Sequence, residues 1–183
     1  NDGRDPYSST SLKANRRVAR SARRSRDRFL QRQKYLMNEL VRSGLMPEDK
    51  TEREAMAYHD PYAIRKKALD EKVSPYEMGR AIFHMNQRRG FKSNRKSGDN
   101  EAGVVKQSIE ALKVSLMEKN ARTSGEFLAD RNAERKPVRA RRLVTKTSDL
   151  YELYPDRSML EKEFDKLWDK QAEFNRTIFT KDK

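Results

Sequence analysis

The chain has 183 residues, 38% of them charged and only 34% hydrophobic, with a formal net charge of +14. That is a lean supply of core residues, suited to an elongated helical body more than to a thick globule. It carries no cysteine, which excludes disulfides and thiolate metal sites, and no apolar run approaches the ~20 residues of a membrane span. The positive charge is localised. Residues 1–45 hold twelve Lys/Arg against four Asp/Glu, net +8; residues 80–96 hold six against none, net +6; residues 131–146 hold seven against one, net +6; the remaining segments together carry −6. Such clustering is the footprint of a polyanion-binding surface.

In chain order, residues 1–10 read as a polar arm. Their abrupt NDGRDPYSS opening, without an initiator Met or a signal peptide, suggests a piece cut from a longer protein. Ser11 is a candidate N-cap, and no Pro or Gly interrupts Leu12 to Ser43, so this stretch is predicted as one long helix stopped by Gly44 and Pro47. Arg16, Arg17, Arg20, Arg23, Arg24 and Arg28 fall within a sector of roughly 140° on that helix. Val18, Ala22, Phe29, Leu36 and Leu40 fall opposite and are expected to pack. Six crowded arginines repel one another unless an anion lies along them, and the planar guanidinium fork matches phosphate oxygens bidentately.

Residues 46–60 form a polar connector with at most a short helical turn. Asp60-Pro61 is a cap followed by Pro at the first helical position, opening a helix through Leu69. Ser74-Pro75-Tyr76-Glu77 is a capping box; its helix carries Met78, Ala81, Ile82 and Met85 at core spacing and ends at Arg88-Arg89-Gly90. Residues 91–102 read as a loop. Val104–Lys119 shows a helical stripe, and a shorter helix covers Gly125–Arg131. Residues 132–146 are basic and irregular, with Arg142-Leu-Val-Thr briefly extended. Ser158-Met-Leu-Glu161 reads as a second capping box, opening a helix through Phe164, Leu167, Trp168 and Ala172, with these aromatics and Phe174 in the core. No set of strands alternates convincingly, so the predicted class is all-α: a long arginine-rich helix followed by an elongated helical domain.

No catalytic or metal constellation stands out. The two histidines, His59 and His84, lie in different elements. His84, beside the Met78/Ile82/Met85 stripe, reads as a core-edge or phosphate-adjacent residue. Glu161, Asp165 and Asp169 alternate with Lys162, Lys166 and Lys170 in the manner of helix charge pairing. The second informative stretch is RRGFKSNR. Its Arg88, Arg89, Lys92, Ser93 and Arg95 suit phosphate and sugar contacts, Gly90 permits close backbone approach, and Phe91 either stacks on a base or, the preferred reading, anchors the loop in the core.

The arm with GRDP, then RRVARSARRSRDR, then IFHMNQRRGFKSNRK, then MLEKEFDKLWDKQAEF, together resemble the CRISPR type II effector nucleases, CRISPR-associated protein nine, of the compact II-C subtype. The resemblance implies an arm from a preceding nuclease segment at 1–10, a bridge helix at 11–45 and a recognition-lobe domain at 46–183. It implies bacterial cytoplasm, with guide RNA and the target DNA strand, held as heteroduplex, as partners. In that family sequence is delegated to base pairing. Arg16, Arg17, Arg20, Arg23, Arg24 and Arg28 would then grip the guide backbone near its seed. Arg88, Arg89, Lys92, Ser93 and Arg95 would hold the repeat:anti-repeat duplex or the heteroduplex. The family's nuclease domains, where Mg2+ is expected, match nothing here; Asp2 and Asp5 do not fit the catalytic aspartate motif. No cofactor and no enzymatic activity is therefore expected of this stretch, although the full-length proteins it resembles are endonucleases. Two other readings share the charge pattern: a general structural RNA-binding module, and a fragment docking an acidic protein such as an anti-CRISPR inhibitor. A basic zipper is excluded, because Gly44 breaks the heptad begun by Leu30 and Met37.

Overall fold

The computed structural model describes residues 12–88, 100–139, 141–144 and 149–180. Helix α1 spans Leu12–Arg42, α2 Lys50–Met56, α3 Pro61–Lys67, α4 Pro75–Gln87, α5 Asn100–Glu118, α6 Ser124–Ala133 and α7 Arg157–Phe174. Between α6 and α7 lies a small antiparallel hairpin, β1 Arg141–Val144 and β2 Asp149–Glu152, with Arg141 opposite Glu152 and Val144 opposite Asp149. The expected all-α class stands, with this one short hairpin beside the helices. Strand β1 overlaps the stretch from Arg142 to Thr145 expected to be briefly extended. The class remains helical.

The helix starts follow their caps. Asp60 accepts the Tyr62 N–H at 2.9 Å. Ser74 and Glu77 satisfy each other's backbone N–H groups, at 3.1 and 2.7 Å. Thr123, not singled out in the sequence, caps α6. The box predicted at Ser158 is wrong by two residues. Asp156 caps α7 by accepting the Met159 N–H at 2.8 Å, and the Ser158 hydroxyl donates to the same carboxylate. A carboxylate is the stronger acceptor and wins the position. Helix α1 stops as expected at Gly44, where φ is +70° and the Leu45 N–H closes back on the Leu40 carbonyl at 2.8 Å. Helix α5 begins at Asn100, earlier than predicted, and the connector contains α2, capped by Asp49.

Two apolar clusters form the core. The first joins the C-terminal half of α1 (Leu36, Met37, Leu40, Val41) to Met78 and Met85 of α4, Leu167 of α7 and Phe179 beyond it. Trp168 stacks edge-on against Phe179 and donates its indole N–H to the Thr180 carbonyl at 2.7 Å, folding the segment after α7 back onto the helix. Phe174, expected inside, is 40% exposed. Gly79 permits the close seat of α4 against the turn after α1: a Cβ there would lie 1.8 Å from the Leu45 carbonyl oxygen. The second cluster joins Tyr62, Leu112, Phe127, Leu128 and Leu153.

The expected packing stripe of α1 holds only in its second half. Leu40 is buried and Leu36 half-buried, whereas Val18 is 67% and Phe29 37% exposed, and Ala22 is exposed as well. The amphipathic period continues past the point where the body of the protein ends, so the first five turns of α1 project from it.

Candidate nucleic-acid interface

The projecting half of α1 is a cationic rod. From Lys13 to Gln31 every side chain is exposed. Arg16 to Arg28 cover about 18 Å of axis at the helical rise, with Asp27 as the one acid among them. Elsewhere several cations are paired with carboxylates. Arg122 grips Asp70 through two hydrogen bonds of 2.6 and 2.7 Å and Glu126 through a third of 2.7 Å. That pairing raises the Arg122 pKa and lowers those of both carboxylates. Lys66 pairs with Asp130, and Lys67 reaches Glu77 at 3.4 Å. Among the described residues no ion pair engages Arg16, Arg17, Arg20, Arg23, Arg24 or Arg28. No described acid neutralises their charge.

Arg88 closes α4, its backbone N–H donating to the His84 and Met85 carbonyls, and its half-buried side chain lines a cavity. Arg89, Lys92, Ser93 and Arg95, with Gly90 and Phe91, lie outside the described residues.

The sequence reading missed a buried ionic network behind Arg88. The Arg65 guanidinium donates to both carboxylate oxygens of Glu163, at 2.6 and 2.8 Å. The Ser124 hydroxyl and the Gly125 N–H donate to the same carboxylate at 2.8 and 2.9 Å. Arg65 Nη1 lies 3.3 Å from Nδ1 of His84, which accepts as the neutral ring. Arg65 and Glu163 are each 1% exposed. The network needs Gly125, where a Cβ would sit 2.1 Å from Glu163 Oε1. A signal was present: Arg65 follows Tyr62 by three and precedes Leu69 by four, and Glu163 sits three after Leu160 and four before Leu167. Both charges occupy core positions on their helices. Burial, with Arg65, Arg88 and Arg80 nearby, pushes the His84 pKa down to about 3, so His84 is a core residue and does not titrate near neutrality. Among the described residues no three His, Asp or Glu converge to hold a metal ion, and no helix is long and apolar enough to cross a membrane.

No protein-family model matches the chain. It is 29% identical over 180 residues to the CRISPR-associated endonuclease Cas9 of Campylobacter jejuni subsp. jejuni, a match covering 93% of this chain and 18% of that protein. The fold is similar to that of Campylobacter jejuni Cas9 solved in complex with sgRNA and target DNA, with a TM-score of 0.65 and 24% identity over 90% of this chain and 23% of that one. It is also similar to St1Cas9 in an assembly with sgRNA, tDNA20 and AcrIIA6, with a TM-score of 0.68 and 20% identity over 95% of this chain and 22% of that one. The chain therefore spans about a fifth of the length of these relatives.

Proposed function

We propose that this chain, a stretch of a Cas9-like protein, is its bridge helix and recognition-lobe segment, and that it binds guide RNA and the guide–target heteroduplex through their backbones. The observation that carries this reading is the rod of six exposed arginines on one face of α1, none of them in an ion pair with a described residue. A-form duplexes hide their base edges in a deep, narrow major groove, and a protein that must accept any guide has no use for those edges. Phosphate contacts along a straight helix meet both conditions. In this division residues 1–10 are the arm, 11–45 the arginine helix and 46–183 the helical body that anchors it. Arg88, with Arg89, Lys92, Ser93 and Arg95, adds a second grip.

The chain itself supplies binding and no hydrolysis, and its grip on RNA requires no cofactor. The test is a salt titration of RNA binding with and without EDTA. Log K should fall by several units per decade of salt, since each phosphate contact releases counterions. Arg20→Ala or Arg23→Ala should reduce that slope by about one, and EDTA should change nothing. Unchanged slopes in both variants would remove these arginines from the interface. Metal-dependent cleavage by the clean protein would overturn the binding-only reading. Preference for an acidic protein over RNA at equal salt would favour an inhibitor-docking surface instead.

A further inference from the structure

Between the anchored half of α1, α4 and α7 lies an open groove of about 670 Å³. Leu36, Ile82, Met85 and Phe164 give it apolar walls, and Glu161 and Asp165 of α7 line it against one cation, Arg157. Both carboxylate residues are exposed. We propose that this groove takes the projecting half of α1 from a second copy of this chain, each copy seating its helix in the other's groove. The contact uses the face of α1 opposite the six arginines, so it stands apart from the RNA-binding reading.

The projecting half of α1 carries a surface of matching character. Val18, Ala22 and Phe29 continue the stripe on which Leu36 and Leu40 pack, with no described residue packed against them. Phe29 has Arg26 three residues before it and Arg32 three after, the spacing of neighbours on a helix surface. An aromatic side chain between two guanidinium groups is the complement of apolar walls beside two carboxylates. Together they make the usual pattern of a protein interface, an apolar centre with an aromatic anchor and a charged rim. Neither Arg26 nor Arg32 belongs to the six-arginine face, which such a contact leaves open.

The observations favour a second copy over other occupants. A polyanion is a poor fit to a groove with two acids and one base along it. The fitting helix is already present in every copy of the chain. One helix in one groove makes a small contact, whereas a specific interface buries about 1,600 Å² in total. Reciprocal seating joins two helix faces to two grooves, so each surface need supply only about 400 Å². Leu36 lines the groove and lies only a few residues beyond the projecting half of the same helix. Helix and groove therefore adjoin, and a two-fold axis between the two α1 helices brings both contacts together. A one-way contact would instead propagate into open chains. The net charge of +14 on each copy opposes association, which keeps the dimer weak. A dissociation constant on the order of 10 μM is expected, and at submicromolar protein the monomer prevails with its stripe uncovered.

The test is sedimentation equilibrium of the RNA-free chain across that constant, up to about twentyfold above it. The mass should rise from 21.5 kDa toward twice that value. Two charge-reversed proteins then separate helix from groove. Arg26→Glu with Arg32→Glu changes only the helix, and Glu161→Arg with Asp165→Arg changes only the groove. Each alone should stay monomeric, its dissociation constant raised at least tenfold. An equal mixture of the two should recover the dimer, because every helix then meets a groove of opposite charge. Val18→Glu, at an exposed position of the stripe, should also keep the chain monomeric, a readout that holds even where a reversed protein fails to fold. A wild-type chain that stays monomeric at the highest concentration would overturn the proposal and leave the groove to another occupant. A dimer that survives Val18→Glu, a mixture of the two folded reversed proteins that stays monomeric, or growth beyond the dimer would overturn it too.

Discussion

His84 shows how a single side chain can carry pH dependence without touching function. Its folded pKa is pushed from 6.5 to about 3, first by burial and then by Arg65, Arg88 and Arg80. The unfolded chain binds a proton below about 6.5 that the folded chain refuses, so the stability due to this residue is complete above that pH and declines as pH falls toward 3. The loss approaches about 1.4 kcal/mol per pH unit. The melting temperature should therefore fall from pH 7 to pH 5, above the carboxylate range. His84→Gln, which offers Arg65 an acceptor that does not titrate, should flatten the profile there. Equal slopes in the two proteins would mean that the imidazole is solvated. At this scale the sequence was legible wherever a side chain acts on its own neighbours, as Asp60 and the Ser74/Glu77 box do. It was misread where two local acceptors competed, at Asp156 and Ser158.

Helix α1 is one helix by sequence and two by environment. Its second half packs into the first cluster through Leu36, Met37, Leu40 and Val41, and its first half meets nothing described. Leu40→Ala should cost roughly 2–5 kcal/mol, because Leu40 is 3% exposed. Phe29→Ala, at a site 37% exposed, should stay within about 0.5 kcal/mol. Arg24→Ala should leave the melting temperature level or raise it slightly, since like-charge repulsion falls. Three thermal melts check the order. A loss on Phe29→Ala as large as on Leu40→Ala would mean that the projecting half is packed after all. Periodicity made the helix and its faces legible, because it depends on neighbours three and four residues away. It says which residues share a face and cannot say whether that face meets a partner, which is why Val18, Ala22 and Phe29 were misplaced.

Across the whole molecule, the Arg65–Glu163 pair lies where the two clusters meet. Tyr62 of α3 belongs to one and Ala68, which caps α3, to the other, and Met159 belongs to one and Leu167 to the other along α7. The partners are 98 residues apart in sequence, and no local pattern joins them; the sequence showed only that each sits on a core face. Glu163→Ala strands a buried guanidinium and should cost roughly 3–5 kcal/mol. Arg65→Met with Glu163→Leu removes both charges and should recover much of that loss, although the Ser124 hydroxyl and the Gly125 N–H then lose an acceptor. Urea melts of the single and double variants decide it. A double variant no more stable than Glu163→Ala would show that the pair contributes more than mutual neutralisation.

The projecting half of α1 has a further consequence, in the helix–coil balance. With no described residue packed against it, its amides should be protected from hydrogen exchange only by the intrinsic equilibrium of a basic peptide, whose crowded charges favour the coil. Exchange along α1 should therefore form a gradient, fast from Leu12 to Leu30 and slow from Leu36 to Val41. A polyanion laid along the arginines would cancel the repulsion and move the boundary toward the N-terminus, so that RNA bound as proposed would act as the missing half of this helix's tertiary structure. The projecting residues would then gain protection on binding that the anchored residues already have.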